Sequence, residues 1–202
     1  IVRAIRSASS SIHIHAFSPL EIDHGRKTLN ISVKEFLVEL KKAGLNSLPG
    51  TAAEILHDEI RAIICPDKLT SKQWINIIET SHSVGLPTTS TMMFGHVERN
   101  SHVAHHLLKL LNLQQKTNGI TEFVPLPFVA DEAPIFRRGQ ARPGPTFKET
   151  ILVHSVARIL FQGQINNIQG SWVKMGLAGL KFLLTSGIND IGGVLMNESI
   201  TR

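Results

Sequence analysis

Along the 202 residues, a short apolar or β-branched run is repeatedly followed by an amphipathic helix that closes at glycine. Ser32 with Glu35, Thr51 with Glu54, Thr70 with Gln73 and Thr146 with Glu149 each fit the capping box, in which two side chains satisfy amide donors at a helix start. Gly44, Gly85, Gly119 and Gly187 mark the helix ends, because a left-handed closing turn costs glycine little. Strands are predicted at residues 47–49, 88–94, 121–126 and 190–195, with two more at 11–16 and 166–169.

Six strands alternating with helices imply a parallel sheet, either doubly wound or closed into a barrel. The strand contents favour the barrel. Ile12, Ile14 and Ala16 fall on one face of the first strand, and Ser11, His13 and His15 on the other. An apolar face against helices leaves the histidine face looking into a lumen, where barrel sites sit at the carboxyl ends of the strands. Thr89, Thr91 and Met93 alternate in the same way with Thr88, Ser90 and Met92. The expectation is an α/β fold, a partial TIM-type (β/α) barrel with about six units in a single domain over residues 1–202. A full barrel takes about 250 residues, which places about two leading units outside the sequence.

Composition narrows the classes further. No run approaches the roughly 20 apolar residues of a bilayer crossing, so the expected setting is soluble and cytoplasmic, an organelle remaining open. The net charge of +5 comes from dispersed Lys and Arg, without a basic stripe interleaved with aromatics, so nucleic acid is not an expected partner. Cys65 is the single cysteine, which excludes an internal disulfide and a cysteine-ligated cluster built from these residues alone. Ile1-Val2-Arg3-Ala4-Ile5-Arg6 reads as the tail of an amphipathic helix rather than a signal core. Residues 127–145 carry four prolines, both ends included, with Arg137, Arg138 and Arg142; they form either a substrate-side loop or a solvated connection stiffened by proline.

His15-Ala16-Phe17-Ser18-Pro19-Leu20-Glu21, Leu48-Pro49-Gly50-Thr51-Ala52-Ala53-Glu54-Ile55-Leu56 and Thr91-Met92-Met93-Phe94-Gly95-His96-Val97 share an ordered pattern with one family. Glu122-Phe123-Val124-Pro125-Leu126-Pro127-Phe128-Val129, Ala141-Arg142-Pro143-Gly144-Pro145, Gln169-Gly170-Ser171-Trp172-Val173-Lys174 and residues 189–198 continue it across nearly the whole chain. The sequence resembles the radical S-adenosylmethionine enzymes of the FO synthase (7,8-didemethyl-8-hydroxy-5-deazariboflavin synthase) family, in their tyrosine-using subunit or C-terminal half. That resemblance implies a radical SAM barrel with S-adenosyl-L-methionine and a four-iron four-sulfur (4Fe-4S) cluster as cofactors. The implied reaction joins a tyrosine-derived 4-hydroxybenzyl group to 5-amino-6-(D-ribitylamino)uracil in deazaflavin biosynthesis. The implied partners are those two small molecules and the lyase half of FO synthase, with neither membrane nor nucleic acid. The family's C-x-x-x-C-x-x-C motif is absent, so the cluster ligands are expected outside this sequence and these residues alone are expected to be inactive. The family also tends to have histidine where this chain has Ala130.

The resemblance and the residue chemistry together nominate a site. Glu54 suits the amino group or ribose of S-adenosylmethionine, and equally a structural cap with Thr51. Thr91, Met93, Gly95 and Glu98 partly match an adenine-side signature, with Thr91 in place of its first glycine, and read alternatively as a buried strand and tight turn. His13, His15, Ser18, Gln169, Ser171 and Asn197 are candidate hydrogen-bonding groups for substrate, and Arg142 a candidate fork for the tyrosine carboxylate or a solvated arginine. Trp172 suits ring stacking or core filling. A rival reading takes His13 and His15 as the H-x-H ligands of a metal-dependent, amidohydrolase-like barrel, with His96 and Asp190 as further candidates. A noncatalytic, decayed barrel is the third class. His105 and His106 lie on a long amphipathic helix, at least one of them at the surface, and Cys65 is expected to be a small buried residue.

Overall fold

A computed structural model describes residues 1–193. Its centre is a parallel sheet of β1 (Thr88–Phe94), β2 (Ile120–Pro127) and β3 (Asn167–Ile168), ordered as they occur in the chain. Single parallel bridges extend the order on both sides: Leu48 to Thr88 and His15 to Ser47 before β1, and Gln169 to Asp190 after β3. Six parallel positions therefore follow one another in sequence order, as a partial (β/α) barrel requires.

Two of the expected strands, 11–16 and 47–49, shrink to single bridges, because side chains take the backbone groups a ladder would use. Arg6 donates to the carbonyls of Ser10, Ile12 and Gly44, and the Ile14 amide donates to Asn46 Oδ1 at 2.8 Å. Pro49 has no amide to give. The predicted two-sidedness of the first strand holds at Ile14, which is 5% exposed, and fails at Ile12, which is 51% exposed. The last expected strand, 190–195, runs past the described residues.

The helices between the strands are α1 (Val2–Ala8), α2 (Pro19–Leu29), α3 (Val33–Lys42), α4 (Asp58–Ile64), α5 (Ser71–Ser83), α6 (Asn100–Thr117), α7 (Pro134–Arg137), α8 (Phe147–Leu160) and α9 (Trp172–Thr185). Ser32, Thr70 and Thr146 form the capping boxes read from sequence, each worth about 1 kcal/mol of helix stability. Ser18 with Glu21 forms a further box that the sequence reading passed over. Thr51 and Glu54 do not start a helix: the chain loops until Asp58, with Ala52 and Glu54 in the left-handed region at φ 57° and 46°. Asn118, at φ 50°, takes the left-handed place after α6 that had been expected at Gly119. Gly119 answers to space instead, since a Cβ there would lie 2.3 Å from the His82 ring.

One apolar core fills the gap between sheet and helices. Met92 and Phe94 of β1 meet Phe123 of β2, which packs edge-on against Phe161 with ring centres 5.2 Å apart. Trp74, fully buried on α5, ties the core to the next loop by donating Nε1–H to the Thr51 carbonyl at 3.0 Å. Cys65 is buried, and burial pushes its thiol pKa up, as an inert core residue requires. No helix among the described residues is long and apolar enough to cross a membrane.

Candidate functional site at the carboxyl ends of the strands

Alternation along β1 buries Thr88, Ser90, Met92 and Phe94 and leaves Thr89, Thr91 and Met93 on the other face. There they stand in register with Glu122, Val124 and Leu126 of β2. The loops that follow the strands gather at the carboxyl end of this face. Most of the nominated side chains sit in those loops.

Directly after β1 the chain turns at Gly95, whose φ of 96° favours glycine. A Cβ at Gly95 would lie 2.2 Å from Pro145, so the close approach allowed there is taken up by the 127–145 loop. Glu98 closes the turn: its side chain, 2% exposed, accepts from the Gly95 amide at 2.6 Å and from the His96 amide at 2.8 Å. Arg142 donates to the same carboxylate at 3.2 Å and to Glu149 at 2.6 Å, fixing the proline-rich loop to the β1 turn. Burial alone would raise the Glu98 pKa, but His96 and the amides of Gly95 and His96 outweigh it and hold the carboxyl below its usual range.

His96 is fully buried beside this carboxylate, with Nδ1 3.0 Å from Glu98. Such a contact is an ion pair only for a protonated ring. The Val97 amide donates to Nδ1 at 2.8 Å, which puts a lone pair there, while Nε2 faces the Met93 carbonyl at 3.0 Å and carries the proton. Burial lowers the pKa of the ring against the pull of Glu98.

On the other side of β1 the 48–57 segment serves as an irregular edge. Leu48 O accepts from Thr89 N at 3.1 Å, Gly50 O from Thr91 N at 3.2 Å, and Glu54 O from Met93 N at 2.7 Å. Two residues of β1 thus span two residues of the loop and then four, and the surplus pair bulges out between Gly50 and Glu54. Glu54 emerges half-buried at the strand end, its carboxylate paired with Lys68 and its charge felt by His96. Thr91 is buried, its hydroxyl donating to Gly50 O at 2.9 Å.

His13 and His15 meet on one hydroxyl: His13 Nε2 and His15 Nδ1 each lie 2.7 Å from Ser47 Oγ. One hydroxyl donates once and accepts from the other ring, so a polar pair is satisfied without a metal. Burial and the neighbouring His13 lower the pKa of His15. Ser18 is buried and occupied by its capping box with Glu21. Gln169 stands at the far end of the described sheet, reaching Glu122 at 3.4 Å, where burial and Asp190 raise the Glu122 pKa. Ser171 precedes α9 with no capping bond from its side chain, and Trp172 packs against the core with Nε1–H directed at the Gly193 carbonyl. Asn197 lies outside the described residues.

The geometry therefore gathers Glu54, Thr91, Met93, Gly95, Glu98 and Arg142 around the end of β1. It holds His13 and His15 at one edge of the sheet and Gln169 and Ser171 at the other. Between the 127–145 loop and α9 opens a cavity of about 540 Å³, lined by Phe128, Val129, Asp131, Pro145, Val173 and Met175 among others. Among the described residues no group of three His, Cys, Asp or Glu side chains is placed to hold a metal ion. Ser47, Lys68 and Glu149, the partners of His13 and His15, of Glu54 and of Arg142, were not foreseen from the sequence. Only long-range pairing reveals them, and no local spacing encodes it.

Residues 117–202 match the family described as the CofH/MqnC C-terminal region. All 202 residues align at 49% identity with the 5-amino-6-(D-ribitylamino)uracil--L-tyrosine 4-hydroxyphenyl transferase of Methanothermobacter thermautotrophicus, covering 55% of that protein. They align at 50% identity with the FO synthase of Nocardia farcinica, covering 23% of it. The chain thus spans about half the length of the transferases it matches. Among solved structures, methylornithine synthase (PylB) superposes with a TM-score of 0.69 at 15% identity over 100% of this chain and 52% of that one. Elp3 of Methanocaldococcus infernus gives 0.61 at 14% identity over 88% of this chain and 42% of that one. These two likenesses establish the fold.

Proposed function

Since the chain belongs to the family of FO synthases and 5-amino-6-(D-ribitylamino)uracil--L-tyrosine 4-hydroxyphenyl transferases, we propose that the protein containing it is such a transferase. In this reading it joins a 4-hydroxybenzyl group from tyrosine to the aminouracil at the mouth of a radical SAM barrel. The observation that carries the reading is identity near one half over an alignment that covers the whole length of the chain.

The implied cofactors fit these residues unequally. A 4Fe-4S cluster held by cysteines does not fit, because the one cysteine, Cys65, is buried. The adenosyl cofactor fits at Glu54, a half-buried carboxylate at the strand end whose present partner is a lysine ammonium, the kind of group an amino-acid moiety carries. Space beside Gly95 is already filled by Pro145, so Gly95 serves the cofactor by letting the two loops meet. When bound and reduced, the adenosyl cofactor supplies the one-electron chemistry that activates tyrosine.

The residues of this chain bind, orient and exclude water. Thr91 and Met93 flank the cofactor beside Glu54. Glu98 acts through Arg142, holding the proline-rich loop against the mouth, and the half-exposed Arg142–Glu149 arm is the part able to exchange for a tyrosine carboxylate. His13, His15, Ser18, Gln169, Ser171 and Asn197 supply hydrogen-bonding groups for the uracil and ribityl chain. The lyase half of FO synthase is the proposed protein partner. Full-length protein prepared anaerobically with its cluster is expected to cleave S-adenosylmethionine only when tyrosine is present. Cleavage indifferent to tyrosine would overturn the assignment of substrate.

A further inference from the structure

Arg61 is 3% exposed, and among the described residues it forms no ion pair. Burying a guanidinium is strongly unfavourable unless its hydrogens are taken. Here they are taken by carbonyls: Nε donates to Leu69 O at 2.8 Å, and the terminal nitrogens to Ala53 O, to Ile55 O at 3.4 Å and to Ala52 O at 3.4 Å. Three of the four acceptors belong to the bulge between Gly50 and Glu54 and its exit. The same bulge holds Ala52 and Glu54 in left-handed backbone, a conformation strained for a residue with a side chain and one that persists only where its surroundings impose it. A fourth acceptor, Leu69 O, ties the bulge to the segment carrying Lys68, the partner of Glu54.

We propose that Arg61 is a positioning residue: from beneath the bulge it fixes the strained turn that delivers Glu54 to the end of β1, in register with Met93, so that the Glu54 carboxylate meets a cationic or polyhydroxyl ligand at a set place. The inference rests on the reading of Glu54 as a cofactor contact. A solely structural arginine would have been served as well by the nearest helix ends. This one spends its donors on carbonyls that the bulge turns away from the sheet ladder.

The test uses the full-length protein, anaerobic, with S-adenosylmethionine itself as titrant in calorimetry. Arg61→Lys keeps the charge and loses the fork. It is expected to raise the Kd about tenfold, Glu54→Gln to do the same, and the double variant to be no weaker than Glu54→Gln alone, as expected for two residues acting as one unit. Amide exchange in Arg61→Lys should accelerate at residues 51–56 and stay unchanged in β1 and α5. Losses that multiply in the double variant, or exchange that accelerates throughout, would overturn the proposal. Should Glu54→Gln leave the Kd unchanged, the reading of Glu54 as a cofactor contact fails, and exchange at 51–56 alone then decides for or against Arg61 as the clamp. If Arg61→Lys does not fold, the unmodified protein still answers: the Arg61 Nε–H is expected to exchange slowly with solvent, and rapid exchange contradicts the clamp.

Discussion

Single residues at the mouth are defined by whom they bond, which the sequence left open. Glu98 was nominated for a ligand and is found saturated by two amides and Arg142, which makes its removal chiefly a matter of loop order. Glu98→Gln is expected to lower the melting temperature and weaken substrate binding together, because the half-exposed Arg142 arm loses its buried carboxylate partner; calorimetric unfolding and tyrosine binding measured side by side check the coupling. Buried histidines set the acid limit. Burial lowers the pKa of His106 to about 3 and of His82 to about 4, from 6.5. Below 6.5 the unfolded chain takes up protons that these folded rings refuse, so stability is full above pH 6.5 and declines as pH falls from there toward 4. Melting temperatures across that window should fall in the parent and fall less steeply in His106→Gln. An equal slope in both would contradict the assignment.

Local elements carry the clearest sequence signals and the plainest failures. Ser32, Thr70 and Thr146 were legible because a capping box needs only four neighbouring residues; Thr70→Ala or Thr146→Ala is expected to cost about 1 kcal/mol in denaturant unfolding. The same pattern misled at Thr51 and Glu54, where Arg61 and the β1 ladder, both remote or nonlocal, bend the chain into a bulge instead. Strands β1 and β2 were readable from alternation and β-branching, whereas the segments around Ile14 and Ser47 lost their ladders to Arg6 and Asn46. Gly95→Ala tests how tightly two elements meet. With φ at 96° and Pro145 2.2 Å from the new methyl, it should displace the proline-rich loop, visible as faster proteolysis within residues 127–145 and weaker binding of tyrosine.

For the whole molecule, sequence order and strand order coincide, so the parallel arrangement was legible from the alternation of strands and helices alone. What stayed hidden was which mouth loops touch, because that depends on pairs such as Glu98 with Arg142 and Gly95 with Pro145, 44 residues apart for the first of them. Transfer of the tyrosine ring at this mouth, as proposed above, can be followed with labelled tyrosine. Full-length enzyme with its cluster, S-adenosylmethionine and 5-amino-6-(D-ribitylamino)uracil, supplied with ring-labelled tyrosine, should give an aminouracil adduct carrying the intact labelled ring by mass spectrometry. An active, cluster-loaded enzyme that consumes S-adenosylmethionine and leaves the aminouracil unlabelled would contradict it.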